Sequence, residues 1–190
     1  MPSVLESSDI LRQIHRTSVE DYHAFGEAGF LNEDVELLRG VIICKMPKSP
    51  LHEYVAHTLR DLIISHIPPG FIVRHEGPLT IGNSEPEPDI SVVKGKLLDW
   101  LTSHPRTAAL VAEIAITSVS IDEEKAHIYA ESGIPEYWLI RPEARELDLY
   151  REPTASGYAS RTTLRDGDTL RAVALPEIEF AVSDIFPPRA

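Results

Sequence analysis

The order of hydrophobic and polar positions along the chain predicts a mixture of helices and strands. Apolar residues recur at helical spacing over about 52–64 and about 120–132, and a proline or glycine turn follows each segment. Nearly continuous apolar runs at 35–43, 108–116 and 136–140 predict strands instead. Helices that separate strands in this way favour an α/β or α+β fold, in which a mixed β-sheet is flanked by helices.

Weaker patterns complete this prediction. Thr17-x-x-Glu20 has the spacing of a helix-capping box, and the run VELLRGVII favours a hairpin that turns near Arg39 and Gly40. Shorter strands are predicted at 71–74, 79–81, 89–93, 147–151 and 157–164, with a last strand and a short helix within 169–186.

The length of 190 residues, with 43% hydrophobic and 25% charged residues, predicts one globular domain over 17–190 after a lead-in at 1–16. Cys44 is the only cysteine, which excludes disulfides and a cysteine-built zinc site. Because no apolar run approaches the ~20 residues of a membrane span, we expect no membrane association and a cytoplasmic location. The net charge of −12 argues against broad nucleic-acid binding, but it leaves room for a local basic groove or an acidic cation site.

Glu113 is the least expected residue in the chain, because it stands in the middle of the apolar run LVAEIAI. A carboxylate taken out of water needs a partner to offset the lost hydration. Alternation along the strand puts Val111, Glu113 and Ala115 on one face. A buried ion pair with an arginine is the ordinary explanation and explains Glu113 equally well.

Asp89 raises the same question at the start of the predicted strand at 89–93, which precedes that of Glu113. Aspartate disfavours strands, and its usual role at such a position is in a turn. If Asp89 and Glu113 lie on neighbouring strands, they repel unless a proton or a cation neutralises them. A hard cation such as Mg²⁺ binds carboxylate oxygens, so one bound ion would account for both residues.

Lys125 lies in the first turn of the helix that follows Glu113. Cations are disfavoured at a helix start, and the neighbouring acidic residues also fit a solvated charged turn. Lys125 shares one helix face with Tyr129, four residues on, so an inward-facing lysine could reach a water bound to that ion.

In this order, Pro88-Asp89, Glu113 and a following lysine resemble the PD-(D/E)xK nuclease superfamily. The match is closer to the Uma-two family of restriction endonucleases. The similar stretches cover most of the chain from about 17 to 186 and are VELLRGVII, Ser49-Pro50-Leu51-His52, EPDISVV, LVAEIAITS, GIPEYWLI and Ser183-Asp184-Ile185-Phe186.

The resemblance implies a restriction-endonuclease-like fold and Mg²⁺-dependent cleavage of DNA, with Mn²⁺ as a substitute ion. Asp89 and Glu113 would bind the cation together with the backbone carbonyl of Ile114. Lys125 would be the catalytic lysine, since the usual position two residues after the glutamate is Ala115 here. Glu36 would be an additional acidic residue.

Further candidates depend on position alone. Two lysine pairs could contact DNA phosphates, although simple solubility explains each pair as well; they are Lys45, Lys48, Lys94 and Lys96. His52 could lie near the site because it opens its helix, although a surface position is the more common one. By analogy with other nucleases we expect a homodimer, with the apolar strand around Trp138 as a possible surface.

Two other functions stay open at this point. The acidic net charge is compatible with an inactive descendant of the fold that acts as an interaction module. A metal-dependent hydrolase of another phosphate ester is the third candidate. The presence of Asp89, Glu113 and Lys125 together favours the nuclease.

Overall fold

The computed structural model describes residues 9, 13–32, 34–116 and 119–189. The predicted lead-in at 1–16 lies outside the described residues except for position 9 and residues 13–16. The elements in chain order are α1 (Val19–Glu27), β1 (Val35–Leu38), β2 (Val41–Cys44), α2 (Pro50–His66), β3 (Phe71–His75), β4 (Ile90–Lys94), β5 (Leu110–Ile114), α3 (Val119–Glu131), β6 (Glu136–Arg141), β7 (Glu146–Thr154), β8 (Gly157–Arg165), β9 (Thr169–Arg171) and β10 (Glu179–Ala181), with short 3-10 helices at Leu97–Trp100 and Val182–Ile185.

Six of these strands form one mixed sheet in the order β3-β4-β5-β6-β7-β8. Only β5 and β6 pair in parallel, and every other neighbouring pair in this sheet is antiparallel. A parallel pair needs a crossover, and α3 supplies it between β5 and β6. The predicted fold class, a mixed sheet flanked by helices in a single domain, is therefore confirmed.

Both faces of the central strand β5 are buried. Leu110, Ala112 and Ile114 belong to the apolar cluster that contains the inner face of α2. Val111 and Ala115 belong to a second cluster, which contains residues of α3. The alternation predicted for this strand is confirmed, and burial on both faces explains why its sequence is almost continuously apolar.

Local sequence signals explain several element boundaries. The β1–β2 hairpin turns at Arg39 and Gly40, which both have positive φ, as the tightest hairpin turns require. Pro50 opens α2 after Ser49, whose side chain accepts a hydrogen bond from the backbone N–H of His52. The cap of α1 is Ser18, not Thr17, because Ser18 accepts from the N–H three residues on.

The strand predicted at 79–81 is not formed. Ile81 makes only an isolated bridge to Ser84. The N–H groups of Leu79 and Thr80 donate to carbonyls of Pro86 and Pro105. Prolines have no N–H to return, so a regular ladder cannot grow along this segment.

Trp138 does not form a dimer surface. Its side chain is fully buried and packs edge-on against Phe180 of β10, with ring centroids 6.2 Å apart. The segment after β8 folds back over this face of β6, so the apolar strand is covered within the same chain. Within the described residues, no helix combines the length and hydrophobicity that crossing a bilayer requires.

Candidate active site

A cavity of about 190 Å³ opens where the end of β5 meets the start of β4 and the first turns of α2 and α3. β1 and the loop that follows β2 form its other walls. The lining residues are Glu36, Cys44, Lys45, Met46, Pro47, Lys48, Ser49, His52, Glu87, Asp89, Glu113, Ile114, Ile116, Ile121, Asp122 and Lys125.

The register of the central strands brings the two predicted carboxylates together. β4 and β5 are antiparallel, with Ile90 opposite Ala112, so Asp89 at the start of β4 lies beside Glu113 near the end of β5. The backbone N–H of Asp89 donates to Glu113 Oε2 at 3.3 Å. The backbone N–H of Ile114 donates to Asp89 Oδ2 at 2.8 Å. Each carboxylate is thus held by the backbone of the other strand.

Glu113 is 4% exposed, and three donors surround its carboxylate. Besides the backbone of Asp89, Lys125 Nζ lies 3.0 Å from Oε1, and the Tyr129 hydroxyl donates to the same oxygen at 2.9 Å. The partner of Glu113 is therefore a lysine and not the arginine of the ordinary explanation.

Lys125 faces the protein interior and is 5% exposed. Its ammonium group lies 2.9 Å from Glu36 Oε2 as well as 3.0 Å from Glu113 Oε1, and so bridges β1 and β5. Glu36 is buried on β1 and also accepts the backbone N–H of Glu87 at 3.2 Å. The charged first turn of α3 is thus only partly solvated, because its lysine points into the site.

His52 lies at this site as well. The Ser49 cap places it in the first turn of α2, where its Nε2 atom is 3.2 Å from Asp89 Oδ2. Lys48 Nζ approaches the other oxygen of Asp89 at 3.7 Å. Asp89 therefore has one cationic and one imidazole neighbour on the side away from Glu113.

The electrostatics of the two central carboxylates differ. Burial raises the pKa of Glu113 to about 8, and the charges of Asp89, Asp122 and Glu36 act in the same direction against the opposing ammonium group of Lys125. Burial also acts to raise the pKa of Asp89, but hydrogen bonds from His52 and from the Ile114 backbone outweigh it and hold that pKa below its ordinary value. Glu113 therefore binds a proton readily when no other cation compensates its neighbours.

Lys125 keeps its charge in spite of its burial. Burial acts to lower its pKa, but the carboxylates of Glu113 and Glu36 outweigh this effect and raise the pKa above the ordinary value for lysine. One permanent positive charge thus stands among the carboxylates of Glu36, Asp89 and Glu113.

The four lysines predicted to contact phosphate divide into two pairs. Lys45 and Lys48 line the cavity, where Lys45 pairs with Glu87 at 3.0 Å and Lys48 pairs with Glu76. Lys94 and Lys96 are exposed and do not line this cavity. Lys94 ends β4, five residues from Asp89, which at about 3.3 Å per residue is roughly 17 Å along the strand. The structure brings only the first pair to the site.

Three residues of this site were not predicted from the sequence. The four-residue spacing placed Tyr129 on the same helix face as Lys125, but Tyr129 was not assigned to the site; Asp122, three residues before Lys125, has a similar signal. Asp122 is buried and lines the cavity. Glu87 had no comparable signal, because its place beside Glu36 depends on how the 85–88 segment packs on β1.

The six-stranded mixed sheet, with acidic residues clustered at the ends of β4 and β5, places the chain in a fold class that includes proteins described as nucleases. A family model described as "Uma2: Putative restriction endonuclease" matches residues 19–183. The chain therefore belongs to the Uma2 family.

A solved structure supports the same fold. The crystal structure of "a putative nuclease belonging to DUF820 from Anabaena variabilis" superposes with a TM-score of 0.69, at 19% sequence identity. The superposition covers 85% of this chain and 96% of that chain. At this identity the likeness concerns the fold alone. A comparison with curated proteins found no significant match.

Proposed function

We propose that this protein is a Mg²⁺-dependent nuclease that hydrolyses phosphodiester bonds in DNA. The observation that carries the proposal is the convergence of Asp89, Glu113 and Lys125, which come from three separate elements and meet in one buried cluster. Membership of a family described as restriction endonucleases agrees with this chemistry.

The donor set fits a hard divalent cation. Asp89 and Glu113 offer carboxylate oxygens side by side, and Mg²⁺ takes such oxygens while it keeps several waters. The N–H of Ile114 points at Asp89, and the carbonyl of a strand residue points to the same edge as its N–H, so the Ile114 carbonyl is a third candidate ligand. The raised pKa of Glu113 supports the same assignment, since an added positive charge would stabilise its ionised form.

The residues of the chain have distinct roles in this mechanism. Asp89 and Glu113 would hold the cation, which would supply polarisation of a phosphate oxygen and a lowered pKa of a bound water. Lys125, held between Glu36 and Glu113, directs its ammonium group at the charge that develops on the phosphate. Glu36 is placed to accept a proton or to adjust the position of Lys125. Water attacks phosphorus, and one P–O bond of the backbone breaks.

DNA would approach over the loop that carries Lys45 and Lys48. Both lysines lie at the cavity, so they can contact phosphates on either side of the bond that is cut. They are paired with carboxylates, and the chain carries a net charge of −12. We therefore expect few phosphate contacts and a shallow dependence of binding on salt.

Plasmid nicking tests this function directly. In Mg²⁺, the purified wild type should convert supercoiled plasmid to the nicked form. Lys125→Ala and Glu113→Ala should lose this activity on the order of 100-fold or more, as removal of a charge-stabilising group does. Arg171→Ala is a matched control, because Arg171 is an exposed cation that pairs with Glu179 on the short β9–β10 hairpin.

The outcomes separate the three candidate functions. Nicking that survives Lys125→Ala would contradict the proposed role of this lysine. Cation binding with no nicking, but with hydrolysis of a small phosphodiester, would favour another phosphate ester as the substrate. Absence of both cation binding and hydrolysis would favour an interaction module.

A homodimer remains a prediction for the active form. Cutting both strands of DNA requires two sites, and the exposed apolar side chains of Leu97, Leu98 and Leu101 offer a surface for pairing. Light scattering on the purified protein should give twice the mass of the 21.2 kDa chain. A mass of one chain would contradict this prediction.

A further inference from the structure

A second and larger cavity of about 730 Å³ lies next to the candidate active site. One wall is α1, and another is the segment that runs from Trp100, the last residue of the first 3-10 helix, to Arg106. Glu87 lines both cavities. Two histidines that line this cavity come together with a buried glutamate behind them, from three distant parts of the chain.

These residues are His23 on α1, Glu85 in the segment before β4, and His104 after the 3-10 helix. One ligand atom from each lies within 4.8 Å of the other two. His23 Nε2 is 2.7 Å from Glu85 Oε1, and the rings of His23 and His104 meet edge-on with centroids 6.3 Å apart. The three donors therefore surround a single small volume.

Glu85 is held as a metal-ligating carboxylate usually is. It is 4% exposed, and its backbone pairs with Leu37 on β1. Its Oε2 atom accepts a hydrogen bond from the Thr80 hydroxyl at 2.7 Å, which leaves Oε1 for the histidines. In metal sites, hydrogen bonds of this kind orient the ligands.

A simple ion pair between His23 and Glu85 does not account for His104. Among the described residues, the imidazole of His104 makes no hydrogen bond, although it is half-buried beside a carboxylate. Burial lowers the pKa of His104, which keeps the ring neutral, and the neutral ring is the form that binds metals.

We propose that His23, Glu85 and His104 bind one transition-metal ion of the Zn²⁺ class. Two imidazoles and one carboxylate are a ligand set that Zn²⁺ accepts, with a fourth position left for water or another ligand. Mg²⁺ prefers oxygen ligands, so this site and the carboxylate pair at Asp89 select different ions. Tetrahedral Zn²⁺ places its ligand atoms roughly 3.3 Å apart, and the half-exposed His23 side chain can turn to reach that spacing.

The ion would fasten α1 to the body of the protein. α1 has no buried residue, and the Tyr22 hydroxyl and His23 are its side chains that hydrogen-bond to residues beyond the helix and its cap. A bond from His23 to an ion shared with Glu85 and His104 would therefore fix the helix that forms one wall of the groove. This proposal is independent of the nuclease function, because it uses none of the residues of the first site.

Titration with ZnCl₂ in a chelator-free buffer tests the site by calorimetry. The wild type should bind one ion per chain at this site. His104→Asn should weaken binding on the order of 100-fold, and Thr80→Val, which removes only the hydrogen bond to Glu85, roughly 10-fold. His127→Asn, which changes an exposed histidine of α3 outside the groove, should bind as the wild type does. Asp89→Asn should also retain this binding.

Amide hydrogen exchange of α1 gives a second readout. Zn²⁺ should slow exchange in residues 19–27 of the wild type and of His127→Asn, but not of His104→Asn or His23→Asn. Circular dichroism should show that both ligand variants are folded, because the His104 ring makes no hydrogen bond among the described residues and the His23 side chain is half-exposed. The proposal is overturned if His104→Asn and His23→Asn bind Zn²⁺ as the wild type does, or if only Asp89→Asn loses binding.

Discussion

Two sets of buried carboxylates are balanced differently: Glu136 and Asp148, which face opposite sides of the six-stranded sheet, and the carboxylates at the end of β5. On β6 and β7, Glu136 and Asp148 are fully buried, and each is matched by arginine. Arg151 pairs with Glu136 at 2.6 Å, and Arg161 and Arg141 contact Asp148 at 2.8 and 3.0 Å. Here the positive charges equal or outnumber the carboxylates.

At the end of β5 the proportion is reversed. Four buried carboxylates line this cavity, those of Glu36, Asp89, Glu113 and Asp122. The ammonium group of Lys125 contacts Glu36 and Glu113, and Lys48 lies at the margin beside Asp89. A buried charge that is matched contributes to holding the fold, whereas an excess of one sign requires a further ion. The contrast teaches that burial alone does not mark an acidic residue as part of an active site. The ratio of positive to negative charges around the residue is the better indicator.

The largest expected effect separates the two sets by activity. Glu113→Gln should reduce plasmid nicking in Mg²⁺ on the order of 100-fold or more, because it removes a cation ligand. Asp148→Asn, the same type of substitution at a buried carboxylate that is paired with arginines, should leave the initial nicking rate unchanged. An equal loss in both variants would show that the two sets do not differ in function.

The next effect concerns cation binding. Mg²⁺ or Mn²⁺ at about 100 times its dissociation constant should stabilise the wild type by about 2.7 kcal/mol, which thermal unfolding would detect as a higher Tm. Asp89→Ala should lose this shift because one of the two carboxylates is gone, and Glu136→Gln should retain it. If Asp89→Ala responds as the wild type does, the ion does not bind at this cluster.

Stability should distinguish the two sets in the opposite sense. Asp148→Asn should lower the free energy of unfolding by about 2 kcal/mol, because it weakens the hydrogen bond from Arg161 and removes the ion pair with Arg141. Glu113→Gln should not lower the free energy of unfolding in EDTA, since this substitution removes a carboxylate from a cluster in which carboxylates outnumber cations. Urea unfolding of both variants measures this, and a larger loss in Glu113→Gln would contradict the expected balance.

The smallest effect is the dependence of stability on pH. The pKa of Glu113 in the folded protein is raised to about 8 from its ordinary value of 4.5. The folded state therefore binds the extra proton between these values, and stability falls as pH rises toward 8, by at most about 1.4 kcal/mol per pH unit. Asp89 does not interfere, because its lowered pKa acts only below its ordinary value of 3.8.

Urea unfolding in EDTA from pH 6.5 to 8 measures this slope. The wild type should become less stable relative to Glu113→Gln across this window, and Asp148→Asn should keep the slope of the wild type. Parallel curves for the wild type and Glu113→Gln would show that Glu113 is ionised throughout.

Much of the fold could be predicted because its signals are local. Alternation in LVAEIAI assigned the faces of β5, and Arg39-Gly40 identified a hairpin turn, since both depend on neighbouring residues. The predictions were wrong where residues distant in the chain decide the local structure or the burial of a side chain. The 79–81 segment lies against prolines, and Trp138 is covered by β10.

The sequence by itself determined that a carboxylate would be buried on the central strand and that an acidic residue and a lysine stood close enough in the chain to meet it. Only the tertiary structure decided that the lysine points inward, that Glu36 shares it, and that His52 contacts Asp89. It alone brought His23, Glu85 and His104 together. The physical reason is that strand register and helix packing set distances between segments far apart in the chain, and no local pattern of residues contains those distances.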